Sequence, residues 1–218
     1  MSFIFDQTKE HLHAGLVADA AQYARQEDAP TAAALDCWSA AILAGLSQYV
    51  DRPRAMSRIF EGLDTFPADV LKRPEQLLRA GNLAQGDPKD RSGQLLGQLF
   101  GERIGAVRVA VAEHSGVSLA AASDLLGIAG PVVLGVLSQR LHKGELSVSG
   151  LANLLRAERQ RLNDVLPPRI AESLGISLPL GGEEEPLPQT EGIRWGIVLG
   201  VCVALGLITL FAFKQCAG

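Results

Sequence analysis

The sequence predicts an all-α protein, in which a helical bundle precedes one C-terminal transmembrane helix. Of its 218 residues, 47% are apolar and only 5% aromatic, a composition that favours helices rich in alanine and leucine. Apolar side chains recur at helical spacing through residues 1–176, and no segment there alternates in the manner of a strand. Residues 195–213 form a run of 19 residues without a charge.

Thr8 is predicted to cap the first helix, since a threonine side chain can accept a hydrogen bond from a backbone N–H at a helix start. The apolar face of this helix is then formed by Leu12, Leu16, Ala20 and Tyr23. Pro30 suits the first position of the second helix. That helix is expected to bury Leu35, Cys37, Trp38, Ile42, Leu46 and Tyr49.

Prolines divide the following stretch into short helical pieces, bounded by Pro53, Pro67, Pro74 and Pro88. From Leu95 the chain is again amphipathic as far as Ser115. Serine caps predict two more helices, which begin after Ser118 and Ser147. A last short helix begins at Pro167 and Pro168. Glycines are predicted to end helices at Gly116, Gly144 and Gly175.

An internal likeness suggests a duplicated unit. The segments LAGLSQ at 43–48 and LGVLSQ at 134–139 resemble each other at an offset of 91 residues, and each lies near the end of an Ala-rich helix. Two diverged helical repeats, at residues 1–90 and 91–176, explain this likeness. The alternative is that Ala-rich helices look alike by chance.

Six glycines lie inside the predicted helices, where each costs about 1 kcal/mol relative to alanine. A glycine also lets a neighbouring helix approach closely. The sequence therefore predicts tight helix contacts at Gly97, Gly101, Gly105, Gly127, Gly130 and Gly135. Pro131 is expected to kink its helix.

Several motifs carry a resemblance to a known family. They are LFGERIGAV at 99–107, SGVS at 115–118, AAASDLL at 120–126, AGPVVLGVL at 129–137 and SGLANLL at 149–155. The chain resembles the YidB-like bacterial proteins of unknown function, well over residues 95–175 and loosely over residues 8–63. The resemblance implies an all-helical fold without assigned catalytic residues. Some relatives continue through a membrane span into an OmpA-like domain that binds peptidoglycan. This chain stops just after the span, so peptidoglycan binding is not expected.

The run at 195–213 is about 28 Å long as a helix, close to the hydrocarbon thickness of a bilayer. Arg194 and Lys214 bracket it, and Trp195 suits the membrane interface. The sequence therefore divides into a helical domain at 1–176, an acidic Pro/Gly linker at 177–192, a transmembrane helix at 193–213 and a tail at 214–218.

Small residues recur every fourth position along this span, at Gly192, Gly196, Gly200 and Ala204. Such a stripe lets two membrane helices approach closely, which predicts self-association of the span. Chance is the alternative, because glycine is common in membrane helices.

The N-terminal residues lack the pattern of a secretion signal, since Asp6, Lys9 and Glu10 interrupt any apolar run. We expect a single-pass protein of the bacterial inner membrane, with the helical domain in the cytosol and the C-terminus outside. Cys216 could form a disulfide outside the cytosol, be lipidated if the tail is cytosolic, or remain an idle thiol.

No chemical constellation stands out, and no cofactor or metal is expected. His11 and His13 point to different helix faces, without an acidic partner at ligand spacing. Adjacent residues such as Glu113, His114 and Ser115 cannot form a nucleophilic relay. Basic residues from Arg52 to Arg79 are nearly balanced by acids, and the net charge of −4 argues against a nucleic-acid partner.

The sequence thus predicts a non-enzymatic, membrane-tethered scaffold or adaptor. Its expected partners are the lipid bilayer, a second copy of the chain and an unidentified protein. The alternative is a membrane-active effector that forms a pore or remodels the bilayer, suggested by the apolar stretch at 118–139, whose only charge is Asp124.

Overall fold

A computed structural model of the chain describes residues 3–13, 15–78 and 87–176, and these residues form helices without a strand among them. The helices are α1 (Ile4–His13), α2 (Leu16–Ala24), α3 (Asp28–Ser47), α4 (Pro53–Asp64), α5 (Pro88–Phe100), α6 (Ile104–Ser115), α7 (Leu119–His142), α8 (Val148–Val165) and α9 (Pro168–Leu174). Short 3₁₀ segments span Ala68–Lys72, Pro74–Leu78 and Gly101–Arg103. The predicted all-α class is confirmed.

Local capping residues set most of the helix ends. Ser118 Oγ accepts a hydrogen bond from Ala121 N at 3.1 Å, and Ser147 Oγ accepts one from Gly150 N at the same distance. Gly116 ends α6 in the left-handed region, with φ of 77°. The helix boundaries predicted at Ser118, Ser147 and Gly116 are confirmed. Each of these signals acts within one turn of the helix end, so the local sequence contains it.

The predicted cap at Thr8 is wrong. Thr8 lies inside α1, and its hydroxyl donates to Ile4 O at 2.9 Å. The cap comes instead from α8, where Glu158 Oε1 accepts a hydrogen bond from Ile4 N. The helix is interrupted at Gly15. The apolar face predicted for a single helix is therefore shared by α1 and α2.

The segment predicted to run without interruption from Leu95 to Ser115 is also divided. Gly101 adopts φ of 53°, and α5 and α6 meet there through the 3₁₀ segment Gly101–Arg103. A left-handed φ suits glycine, which has no Cβ to clash. At Pro131, in contrast, the helix is not divided. Helix α7 continues through this residue, so the predicted kink does not end the helix.

Helices α3 and α7 form the centre of the bundle and pack against each other. Leu35, Trp38 and Ile42 of α3 are fully buried, as predicted. Trp38 Nε1 donates to Ala122 O of α7 at 2.8 Å, so the indole N–H is satisfied inside the core. The remaining helices pack around this pair.

Only some of the glycines serve close packing. An added Cβ on Gly130 would lie 2.7 Å from Leu96 Cδ1, and one on Gly135 would lie 2.7 Å from Val70 Cγ1. These two positions behave as predicted, since α5 and the segment Ala68–Lys72 press directly against the α7 backbone. The prediction is wrong for four others, where an added Cβ meets no atom within 4 Å: Gly97, Gly101, Gly105 and Gly127.

Helix positions repeat at the offset seen in the sequence. Helix α3 begins at Asp28 and α7 at Leu119, which are 91 residues apart. Just before them, Arg25 and Gly116 are left-handed residues at the same offset. The packing is reciprocal as well, because α8 contacts α3 and α4 contacts α7. These observations agree with two diverged repeats, which remain a hypothesis.

The helices described above all belong to one compact unit, Met1–Leu178. The linker, transmembrane helix and tail predicted at 177–192, 193–213 and 214–218 lie outside the described residues, and they stay predictions.

Candidate functional site

The site residues predicted from the sequence all lie outside the described residues. They are the small-residue stripe, the interface anchors and the tail cysteine: Gly192, Gly196, Gly200, Ala204, Arg194, Trp195, Lys214 and Cys216. Their arrangement is not described, and these predictions remain open. The described residues offer other candidates, which fall into polar clusters, buried ionisable groups and one groove.

A polar cluster joins α1 to α3. Asp36 pairs with Lys9 Nζ at 2.8 Å and with His13 Nε2 at 3.0 Å. His13 therefore has an acidic partner after all, supplied by a different helix, which spacing within α1 could not show. Among the described residues, no group of three or more His, Cys, Asp or Glu could hold a metal ion.

The residues Glu113 and Ser115 have separate partners. Glu113 pairs with Arg169 of α9, while Ser115 Oγ donates to Val111 O at 2.7 Å. The serine hydroxyl thus satisfies a helix carbonyl.

Cys37 is buried in α3, as predicted for a core residue. Burial, helped by the nearby Asp36 carboxylate, raises the pKa of its thiol to about 12. Because the thiolate is the reactive form, this cysteine is chemically inert in the folded protein.

Glu158 is a buried carboxyl that is absent from the site residues predicted from the sequence. It lies in α8 in register with Leu151, Leu155 and Leu162, all buried, so its place in an apolar stripe was the available signal. Its Oε1 accepts from Ile4 N, and its Oε2 has no hydrogen-bond partner among the described residues.

The pKa of Glu158 is raised above its ordinary value of 4.5, chiefly by burial and further by Asp6. The backbone N–H groups of Ile4 and Phe5 and the Arg161 guanidinium oppose this shift without cancelling it. The folded protein therefore holds this proton more tightly than the unfolded chain does. It follows that the contribution of Glu158 to stability falls as the pH rises above 4.5.

An apolar groove lies between α4 and α5, and we call it the α4–α5 groove. It encloses a cavity of about 160 Å³. Ala55 and Ile59 of α4 form one wall, Leu95 and Leu99 of α5 form the other, and Leu46 of α3 and Leu134 of α7 form the floor. Since the floor belongs to the central helices, the position of the groove is fixed by the core.

The two walls of the groove run antiparallel. Arg91, near the start of α5, donates to Thr65 O just beyond the end of α4, at 2.6 Å. Tyr49, before the start of α4, donates to Leu99 O near the end of α5, at 3.2 Å. Gly62 marks the close approach, where an added Cβ would lie 2.7 Å from Leu95 Cδ2.

Arginines surround the α4–α5 groove. Arg58 lies at its mouth, Arg52 and Arg103 line the adjoining depression at the Tyr49 end, and Arg91 lines the depression at the Thr65 end together with Asp90. Two of these arginines, Arg52 and Arg58, belong to the nearly balanced set of charges predicted from Arg52 to Arg79. The other two come from α5 and the segment after it, so only the fold brings the four together.

The described residues thus define a class: an all-helical bundle with two central helices and an open groove beside them. Residues 6–140, more than half of the chain, match the bacterial family of unknown function DUF937, and the chain belongs to this family. The predicted resemblance to YidB-like proteins, which are members of that family, is confirmed. The match spans α1 to α7, so it covers the N-terminal half more fully than the sequence motifs indicated. No curated protein and no solved structure is significantly similar to the chain.

Proposed function

We propose that the chain is a non-enzymatic, membrane-tethered helical scaffold or adaptor that self-associates at the cytosolic face of a bacterial inner membrane. The observation that carries this proposal is the α4–α5 groove, whose aliphatic walls on α4 and α5 are only partly buried. Open apolar surface of this kind marks interaction sites. The uncharged run at 195–213 supplies the proposed anchor.

The distribution of ionisable groups supports a role in binding rather than catalysis. Catalytic groups with displaced pKa values usually converge in a cleft. Among the described residues, the two groups with displaced pKa values are Cys37 and Glu158. Neither residue lines the α4–α5 groove.

Self-association is proposed to run through the anchor. Gly192, Gly196, Gly200 and Ala204 would lie on one helix face, where small residues allow two helices to pack closely in lipid. Pairing the anchors raises the effective concentration of the attached bundles for each other and for a shared partner. This is how a tethered domain without catalytic groups can organise other proteins.

The mass of the assembly in mild detergent, measured by light scattering, tests this proposal. We expect the full chain to be oligomeric and the variant Gly196→Leu/Gly200→Leu to be monomeric. The matched control is Gly206→Leu, which lies off the stripe and should leave the mass unchanged. A monomeric wild-type chain, or equal loss in both variants, refutes the proposed route of association.

A membrane-active effector is the second candidate, and one observation favours it. Helices α3 and α7 are both long and apolar enough to cross a membrane. Most of their residues are buried in the core, which is equally typical of a soluble bundle. Dye release from liposomes separates the two candidates, since a scaffold releases none at saturating protein.

A further inference from the structure

We propose that the α4–α5 groove binds an amphipathic helix that carries acidic residues beside a leucine-type apolar face. This inference rests on the proposed scaffold function, because it names the partner class that the scaffold would hold. It draws on the shape of the groove, on the groups that line it and on their charge.

The shape of the α4–α5 groove suits a helix. Both of its walls are helices that pack on α7, and they run antiparallel along its length. The twelve residues of α4 extend for about 18 Å, or about three turns. A third helix laid between them can present side chains from successive turns to the aliphatic walls, as in helix-in-groove recognition.

The lining disfavours other modes of peptide binding. Both walls are α-helices, whose backbone groups are paired within the helix, so they offer no free edge to an added strand. Grooves that bind proline-rich peptides are lined by aromatic side chains, whereas Tyr49 is the aromatic residue of this groove and the rest of its apolar lining is aliphatic. Aliphatic walls match the leucine-rich face of an amphipathic helix.

The charge around the α4–α5 groove selects an acidic partner. The groove and its two adjoining depressions are lined by four arginines and one aspartate, although the chain as a whole carries a net charge of −4. Asp51, Glu61, Asp64 and Glu102 lie on the same elements or beside them but do not line these surfaces. Arginines therefore outnumber acidic residues along the lining of the groove and its two depressions.

Arg58 is the arginine best placed to bind a carboxylate. It is exposed at the mouth of the groove and makes no ion pair or hydrogen bond with the described residues. The others are partly engaged: Arg52 stacks over the Tyr49 ring at 5.6 Å, and Arg91 and Arg103 donate to backbone carbonyls at 2.6 Å. A carboxylate one turn from a docked leucine could form a charge-assisted, bidentate pair with Arg58.

The test uses the full chain in zwitterionic nanodiscs and two fluorescent synthetic peptides. Each peptide has about 14 residues, or about four turns, with leucines on one face and either glutamates or lysines on the flanks. We expect the glutamate peptide to bind the wild-type chain about tenfold more tightly than the lysine peptide. Empty nanodiscs measure the binding to lipid alone.

Charge-swap variants locate the effect. Arg58→Glu should reverse the preference between the two peptides, and Arg58→Gln should abolish it. Arg54→Gln is the matched control for Arg58→Gln, because Arg54 is also an exposed arginine of α4 but does not line the groove, and a glutamine there cannot form an ion pair with Arg58. It should retain the wild-type preference. All three substitutions are on the surface, and circular dichroism checks that the bundle stays folded.

Several results overturn the proposal: equal binding of both peptides, binding no tighter than to empty nanodiscs, or equal loss in the Arg54 and Arg58 variants. Displacement of the glutamate peptide by added anionic lipid would identify a lipid site instead. If Arg58→Glu lowers the mass of the assembly in detergent, a second copy fills the groove, and the proposal also fails. A monomeric wild-type chain refutes only the self-association, since peptide binding is still measured.

Discussion

Substituting Gly135 with alanine tests how closely the segment Ala68–Lys72 presses on α7. The added Cβ would lie 2.7 Å from Val70 Cγ1 and 3.3 Å from Leu71 Cδ2. Both neighbours are buried, and the branched valine has little freedom to move aside. Overpacking of this kind costs about 1–3 kcal/mol, against a gain of about 1 kcal/mol in helix propensity. The expected result is a net destabilisation of about 1 kcal/mol.

Gly93→Ala is the matched control. Gly93 lies in the exposed face of α5, and an added Cβ there meets no atom within 4 Å. It should stabilise the protein by about 1 kcal/mol. Chemical unfolding of the full chain in mild detergent, followed by circular dichroism at the helix bands, measures both changes. Equal stabilisation by the two substitutions would contradict close packing at Gly135, because Gly135 would then face open space.

Three further predictions concern the buried groups. Relative to Glu158→Gln, the wild-type chain should lose unfolding free energy as the pH rises above 4.5, because the raised pKa favours the protonated carboxyl; parallel pH profiles would contradict this. In a Cys202→Ser/Cys216→Ser variant, Cys37 should react with maleimide only after unfolding, since its pKa is about 12; labelling of the native protein at the rate of a free thiol argues against it. Trp38→Phe should cost about 1–3 kcal/mol in chemical unfolding, because Ala122 O loses its indole donor; an unchanged midpoint rules that hydrogen bond out as a stabilising contact.

Local signals were predictable from the sequence wherever the partners are close in the chain. Ser118 and Ser147 were predicted as caps because each bonds a backbone N–H three residues away. Thr8 failed as a cap because α1 is capped by Glu158, 154 residues away in the chain. Helix starts that depend on another helix are therefore invisible to a local pattern.

The glycines show a second limit. Gly127 and Gly135 lie in the same helix, and nothing in their local sequence separates them, yet only Gly135 contacts a neighbour closely. Which face of α7 meets the segment Ala68–Lys72 depends on the packing of the whole bundle. The sequence indicated that glycines favour close contact, but it could not say which ones.

The α4–α5 groove depends on tertiary structure in the same way. Helical spacing predicts the amphipathic segment that contains Leu99, and the charges of Arg52 and Arg58 are evident in the sequence. Their meeting with Arg91 and Arg103 depends on the antiparallel placement of α4 and α5, which joins segments far apart in the chain. The groove is open because no side chain or helix among the described residues fills the space between α4 and α5. A residue pattern does not encode such a space directly.

Energy transfer between labelled copies in bacterial inner-membrane vesicles shows directly whether the chain is tethered to the membrane and assembles through its anchor. Donor and acceptor fluorescent proteins are fused to the N-terminus of the full chain, and the vesicles are washed with carbonate. We predict that the chain stays in the membrane, that energy transfer is lost in Gly196→Leu/Gly200→Leu, and that it persists in Gly206→Leu. Release of the chain by the wash, or equal transfer in both variants, would contradict a membrane-tethered scaffold that assembles through its anchor.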